Sequence, residues 1–159
     1  MLKIRREQLI SMLDAENKKR AADYARSLYE KGWGCATSLY MAMCPYMGKN
    51  ADPKPATFFN GGSGIDGNCG IINIAFLCLG EMYGSISLEQ GNDTELYREA
   101  FFRKIGIDQF AIKCSQIREF LKSRQETEGR KVEGRLCMTL LEQAVYALLD
   151  VSDELRSKI

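Results

Sequence analysis

Apolar residues recur at three- and four-residue intervals along most of this chain, and this spacing is the feature that most constrains its fold. The clearest stripe, near the C-terminal end, consists of Leu140, Leu141, Ala144, Val145, Leu148 and Leu149. Such spacing is typical of α-helices that bury one face. Long alternating runs of β-branched residues are missing, and no Asn-Gly or Asp-Gly turn lies between such runs. The sequence therefore predicts an all-α fold.

Glycine and proline divide the chain into segments, because both residues end helices. The helix-ending residues are Gly32, Pro45, Gly84 and Gly106. The resulting helices are expected over residues 4–13, 17–31, 35–43, 68–83, 93–104, 108–122 and 135–155. Residues 49–68 form an irregular, glycine-rich middle, and residues 123–134 an exposed charged loop. With 159 residues and no linker or repeat, the chain is expected to be one compact domain, residues 1–159, a bundle of five to seven helices.

The chain has six cysteines and no histidine. Without histidine, a metal site must be built from thiolates or carboxylates, and the usual general base is missing. The N-terminal residues lack the apolar run of a secretory signal, and no apolar stretch is long enough to span a bilayer. We therefore expect a soluble, cytoplasmic protein without a membrane partner, in which structural disulfides are uncommon.

Three cysteines are expected in the first turn of a helix. Cys35 follows Gly34, Cys69 follows Asn68, which is a good N-cap residue, and Cys137 follows Gly134 by three positions. The free N–H groups and positive dipole at a helix N-terminus favour the thiolate, which attacks disulfides and binds metals. This placement predicts a lowered pKa for at least one thiol. Cys114 is expected inside a helix, beside Lys113.

Cys44 and Cys78 differ from these four. Each follows a first-turn cysteine by nine residues, about 2.5 turns, and so points to the opposite face of its helix. Cys78 also lies in an apolar segment. These two cysteines are expected to be small core residues. There is no CxxC pair, so neither a thioredoxin-like site nor the common zinc-ribbon spacing is indicated.

The glycine-rich segment Gly62-Ser63-Gly64-Ile65-Asp66-Gly67 reads as GxGxxG. A dinucleotide site would also need a preceding strand within a βαβ unit, which the helical pattern does not support. Two readings stay open: the glycines supply positive φ angles for a tight turn, or their bare backbone lets a cluster or small anion approach. The second reading makes Gly62, Gly64, Gly67 and Gly70 candidate cofactor-binding residues.

The arrangement of four cysteines resembles a family of redox-active proteins known by the signature C_GCAxxG_C_C. The Gly32-Trp33-Gly34-Cys35 step, the loop ending in Asn68-Cys69-Gly70, and the separated Cys114 and Cys137 carry the resemblance, from about Ala22 to Leu149. Ile71 and Ile74 stand where the family has alanine and glycine. The resemblance implies a redox-active protein.

Three functions follow as hypotheses. The first is thiol–disulfide or electron-transfer chemistry at Cys35, Cys69, Cys114 and Cys137. In this hypothesis the protein is a possible oxidoreductase with an unknown redox partner, and Cys35 and Cys69 are the attacking or resolving thiols. The second is an iron–sulfur cluster or zinc held by the same four thiolates. The third is a non-catalytic interaction protein with buried cysteines.

Other partners are judged from charge and from the aromatic residues. The net charge is +1, and basic and acidic residues interleave, so no nucleic-acid groove is indicated. The adjacent pairs Phe58-Phe59 and Phe101-Phe102 cannot each bury both rings in one core, and an exposed ring is a candidate contact in a homo-oligomer.

Overall fold

The computed structural model describes residues 2–89, 93–128 and 136–156. In this part of the chain the fold is all-α, as the sequence predicts. The six α-helices are α1 Leu2–Glu30, α2 Cys35–Met43, α3 Gly70–Tyr83, α4 Thr94–Ile105, α5 Cys114–Glu128 and α6 Leu136–Arg156. Two 3₁₀ segments, Cys44–Met47 and Lys54–Phe59, and the turn Gly62–Asp66 lie between α2 and α3.

Helix α6 is the centre of the bundle and packs against each of the other five helices. Its apolar stripe is fully buried at Leu140, Leu141, Ala144, Val145 and Leu148, as the spacing of these residues predicts. An ion-pair group also joins it to α1, where the Lys18 ammonium lies 2.9 Å from Asp150 and 2.5 Å from Asp153. Helix α2 packs against α1, α3 and α6.

Several helix boundaries differ from the sequence prediction. The two helices expected over residues 4–13 and 17–31 form one continuous helix. Helix α5 begins at Cys114 rather than near residue 108 and extends to Glu128 rather than 122. Residues 129–134 of the expected loop, and Arg135, expected to begin the last helix, lie outside the described residues.

Two further results concern the surface and the core. None of the helices in the described residues is both long and apolar enough to cross a membrane. Of the adjacent phenylalanine pairs, Phe101 and Phe102 are both buried, whereas Phe58 is 88% exposed. Phe101 and Phe102 fit together because both pack edge-on against Phe76, with ring centroids 6.5 and 5.8 Å away.

Candidate functional site

All four candidate cysteines lie at helix N-termini. Cys35 is the first residue of α2 and Cys137 the second of α6, as predicted. Cys69, rather than Asn68, is the N-cap residue of α3. Cys114 is the first residue of α5, so the prediction that it lies within a helix is wrong. The structure therefore gives the fourth cysteine the same position at a helix N-terminus as the other three.

Helix α5 begins later than predicted because the residues before it, 108–113, form a turn and a β-bridge instead of a helix. The Asp108 carboxylate accepts a hydrogen bond from the N–H of Phe110, which closes a turn at 2.9 Å. Asn68 and Lys113 then form an isolated antiparallel β-bridge. The N–H of Cys69 donates to the Ile112 carbonyl at 2.7 Å, and the N–H of Cys114 donates to the Gly67 carbonyl at 2.9 Å. The bridge thus joins the start of α3, at Cys69, to the start of α5, at Cys114.

Burial dominates the electrostatics of Cys69 and Cys137. Burial raises the pKa of Cys69 to about 12, although the N–H groups of Ile72 and Ile71 favour the thiolate, and negative charge on Cys35 or Cys137 raises it further. Burial also raises the pKa of Cys137, with a further contribution from Cys35. The lowered pKa expected from a helix N-terminus is therefore wrong for Cys69 and Cys137, because desolvation outweighs the helix contribution.

Arg118 links the third and fourth cysteines. It follows Cys114 by four residues on α5, so the two side chains share a helix face. Its guanidinium lies close enough to the Cys114 and Cys137 sulfurs that negative charge on either thiol raises the pKa of Arg118. Arg118 in turn opposes the rise in the Cys137 pKa. The sequence analysis did not identify Arg118, and its i,i+4 relation to Cys114 is the signal that would have found it.

A cleft of about 450 Å³ opens beside Cys114 and is lined by Gly61, Gly64, Asp66, Cys114, Ser115 and Arg118. The Asp66 carboxylate closes one side of the cleft, where it accepts hydrogen bonds from the Ser115 N–H and hydroxyl, both at 2.8 Å. These bonds lower the pKa of Asp66. Asp66 therefore caps α5 from outside the helix. Asp66 is thus engaged in capping. The other reactive or charged groups that line the cleft are the Cys114 thiol and the Arg118 guanidinium.

Asn60 performs the same capping task for α2. Its carbonyl oxygen accepts hydrogen bonds from the N–H groups of Ala36 and Thr37, at 2.9 and 3.1 Å, and its amide donates to the Thr37 hydroxyl at 2.9 Å. A Cβ at Gly34 would lie only 2.7 Å from the Asn60 side chain. This side chain therefore fixes the backbone around Cys35, and the sequence analysis missed it.

The glycine-rich loop turns through left-handed backbone, as one of the two readings predicts. Positive φ angles occur at Gly61, Gly62, Ser63, Gly64 and Asp66. The Gly67 N–H closes the turn on the Gly62 carbonyl at 2.8 Å. The cofactor-binding role of Gly62, Gly64, Gly67 and Gly70 stays a prediction, and two of these residues also have packing roles. A Cβ at Gly62 would lie 2.6 Å from the Cβ of Cys114, and one at Gly70 would overlap the Phe59 carbonyl.

Substitution of Gly62 is expected to separate backbone strain from steric overlap. Gly62→Ala should lower the free energy of unfolding by about 2 kcal/mol, since it adds a positive-φ penalty and an overlap with Cys114 and with the Gly67 carbonyl. Gly64→Ala carries the positive φ alone, because a Cβ there meets nothing within 4 Å, and should cost about 1 kcal/mol. Urea denaturation followed by circular dichroism measures both. Equal losses in the two variants would show that the loop does not press on Cys114.

The remaining two cysteines belong to the core. Cys44 and Cys78 are fully buried, as predicted. Burial raises the pKa of Cys78 to about 12, and negative charge on Cys44 raises it further. Cys78 lies inside α3, and Cys44 follows the last residue of α2 and begins the 3₁₀ segment Cys44–Met47, so neither cysteine is at the start of an α-helix.

The metal-ligand role predicted for Cys35, Cys69, Cys114 and Cys137 has no geometric support in the positions of these side chains. Across residues 2–89, 93–128 and 136–156, no three Cys, Asp or Glu side chains come close enough to hold one metal ion. Four thiolates around one iron–sulfur cluster or zinc would require these helix ends to move together. The metal role therefore stays a prediction.

Comparison with known proteins identifies a family match across the site. A family model described as "Putative redox-active protein (C_GCAxxG_C_C)" matches residues 33–151. This range covers more than half of the chain and contains all four cysteines and the glycine-rich loop. No curated protein and no solved structure matches the chain.

Proposed function

The chain belongs to the C_GCAxxG_C_C family, and from this premise we propose that it carries out thiol–disulfide exchange at an outer pair of cysteines, Cys114 and Cys137. The observation that carries the proposal is the position of Arg118, which lies beside Cys114 in the cleft and within electrostatic reach of both thiols. A guanidinium next to a thiol favours the thiolate, which is the attacking form.

The cleft supports Cys114 as the thiol that attacks first, because Cys35 and Cys137 are also partly exposed but do not line it. Cys114 lines the cleft and is half-buried, whereas Cys69 is buried with a pKa of about 12. This proposal replaces Cys35 and Cys69 as the first attacking pair. The two form an inner pair instead, which exchanges with the outer pair through Cys137. Cys137 suits this task because it lies within electrostatic reach of both Cys35 and Cys114.

In the proposed reaction, the Cys114 thiolate attacks one sulfur of a disulfide and releases the other sulfur as a thiolate, which takes up a proton. Cys137 then attacks the mixed disulfide, so that a Cys114–Cys137 disulfide forms and the second substrate thiol leaves. Two protein thiols are oxidised and one disulfide is reduced. A cellular dithiol acting as the redox partner would restore the thiols, which suits a cytoplasmic protein.

The test is redox titration in glutathione buffers, followed by alkylation and peptide mapping. Wild type should form a Cys114–Cys137 disulfide reversibly, and Cys114→Ser or Cys137→Ser should abolish it. Cys78→Ser is the matched control, since this thiol is buried in the core, and should leave the titration unchanged. Free thiols at all six positions throughout the titration would refute the proposal.

The same preparation, purified without oxygen, also tests the metal-binding alternative. Visible absorbance with matched iron and sulfide, or bound zinc, lost in Cys114→Ser, would assign the four thiols to a metal–sulfur site instead. Metal-free protein that titrates as above supports thiol exchange.

A further inference from the structure

The cleft beside Cys114 has the size and charge of a site for a small molecule. Its volume is about 450 Å³, and two of its six lining residues, Gly61 and Gly64, contribute no side chain. A Cβ at either glycine would meet nothing within 4 Å. The space in front of Cys114 is therefore left open by the glycine-rich loop, and it falls in the range of small-ligand pockets of about 300–1,000 Å³.

The charged groups of the cleft are not equally free to bind a ligand. Both oxygens of the Asp66 carboxylate are engaged by Ser115. Arg118, in contrast, is exposed and has five N–H donors. The positive charges of Lys113 and Arg118 both act on Asp66, so two cations oppose one carboxylate. The cleft therefore favours an anion, held at Arg118.

Resting on the proposed function, we propose that the substrate is a small disulfide that carries a carboxylate. Its carboxylate binds the free N–H groups of Arg118, since a guanidinium matches a carboxylate in planar, two-point geometry. Arg118 follows Cys114 by one turn of α5, so a carboxylate held there places the disulfide next to the Cys114 sulfur. Cys114 attacks that disulfide, and Cys137 releases the second substrate thiol, with the balance given above. The disulfide itself is the oxidant.

The experiment compares two disulfide reagents on the fully reduced, intact chain. One is 5,5′-dithiobis(2-nitrobenzoate), which carries two carboxylates, and the other is neutral 4,4′-dithiodipyridine. Rates at limiting reagent are divided by those of a free model thiol, and the labelled cysteine is identified by mass spectrometry. The ratio of the two normalised rates removes any effect of Arg118 on the thiol itself, because that effect acts on both reagents.

Wild type is expected to prefer the dianionic reagent and to react first at Cys114. The label is identified in Cys137→Ser, because Cys137 in the wild-type chain would displace it from Cys114. Arg118→Gln should lower the rate ratio by about tenfold, the size of one charge-assisted contact near a surface. Arg118→Lys keeps the charge and should retain part of the preference. Arg124→Gln is the matched control, since Arg124 lies on the same helix and pairs with Glu128 away from the cleft, and its ratio should equal that of wild type. Added salt should weaken the preference.

The outcomes separate the substrate proposal from the proposed function. Labelling at Cys114 with a ratio unchanged in Arg118→Gln, or an equal loss in Arg118→Lys, would overturn the anionic substrate and leave thiol exchange standing. Reaction with neither reagent faster than the model thiol, or first labelling at another cysteine, would overturn both.

Discussion

Replacing Gly70 by alanine is expected to lower the free energy of unfolding by about 3 kcal/mol. Gly70 is the first residue of α3, where this helix meets the start of α2 and the end of the 3₁₀ segment Lys54–Phe59. An added Cβ would overlap the carbonyl oxygen of Phe59 and lie 2.9 Å from the Cβ of Ala36. Neither neighbour can move aside, since one is backbone and the other a fully buried side chain. Urea denaturation, followed by circular dichroism, measures the loss.

The same helix offers a control of opposite sign. Gly80 also lies in α3, and a Cβ there would meet nothing within 4 Å. Gly80→Ala is therefore expected to raise the free energy of unfolding by about 0.5–1 kcal/mol, because alanine favours the helix more than glycine does. If Gly70→Ala were as stable as wild type, α2 and α3 would not approach each other as closely as described.

Gly70 also explains why glycine follows Cys69 in this chain. A side chain at this position would push the α3 N-terminus, with Cys69, away from Ala36, the neighbour of Cys35. Glycine therefore lets these two cysteine-bearing helix ends approach. Ile71 and Ile74, on the same helix, are fully buried and belong to the core.

The helices could be predicted from sequence where local rules decide the outcome. The stripe of α6 fixes its buried face, and Gly106 ends α4 with a left-handed residue at φ +70°. One local rule was misapplied in α1, where residues 14–16 contain no glycine or proline to interrupt the helix. The late start of α5 was beyond such rules, because the bridge between Asn68 and Lys113 is a contact across 45 positions of the chain.

The candidate site was also predictable only where neighbouring residues decide the structure. Glycine and capping residues nearby in the sequence were enough to place Cys35, Cys69 and Cys137 at helix N-termini. The residues that support the starts of α2 and α5, Asn60 and Asp66, cap helices that begin 25 positions earlier and 48 positions later in the chain. No periodicity reveals such partners. The pKa of Cys69 was also out of reach, since it depends on burial by the whole bundle rather than on the helix end that the sequence identifies.

The stability of the protein is expected to fall steeply as the pH rises above about 9. Burial raises the pKa of both Cys69 and Cys78 from 9.0 to about 12. The unfolded chain therefore releases these protons at lower pH than the folded chain does. The stabilisation is complete below the unfolded pKa, near 9, and is lost as the pH rises toward 12. Each thiol accounts for about 2 kcal/mol lost by about pH 10.5 and about 4 kcal/mol by pH 12.

Cys78 gives the cleanest measurement, because it lies outside the proposed redox site while Cys69 belongs to it. In urea denaturation with a non-thiol reductant, the stability difference between wild type and Cys78→Ala should shift by about 2 kcal/mol, against wild type, between about pH 8 and 10.5. The control is Ser38→Ala, since Ser38 is fully buried and does not titrate in this range. Its difference from wild type should stay constant. A Cys78→Ala difference that also stayed constant would mean that the buried thiol ionises in the folded protein as readily as in the unfolded chain.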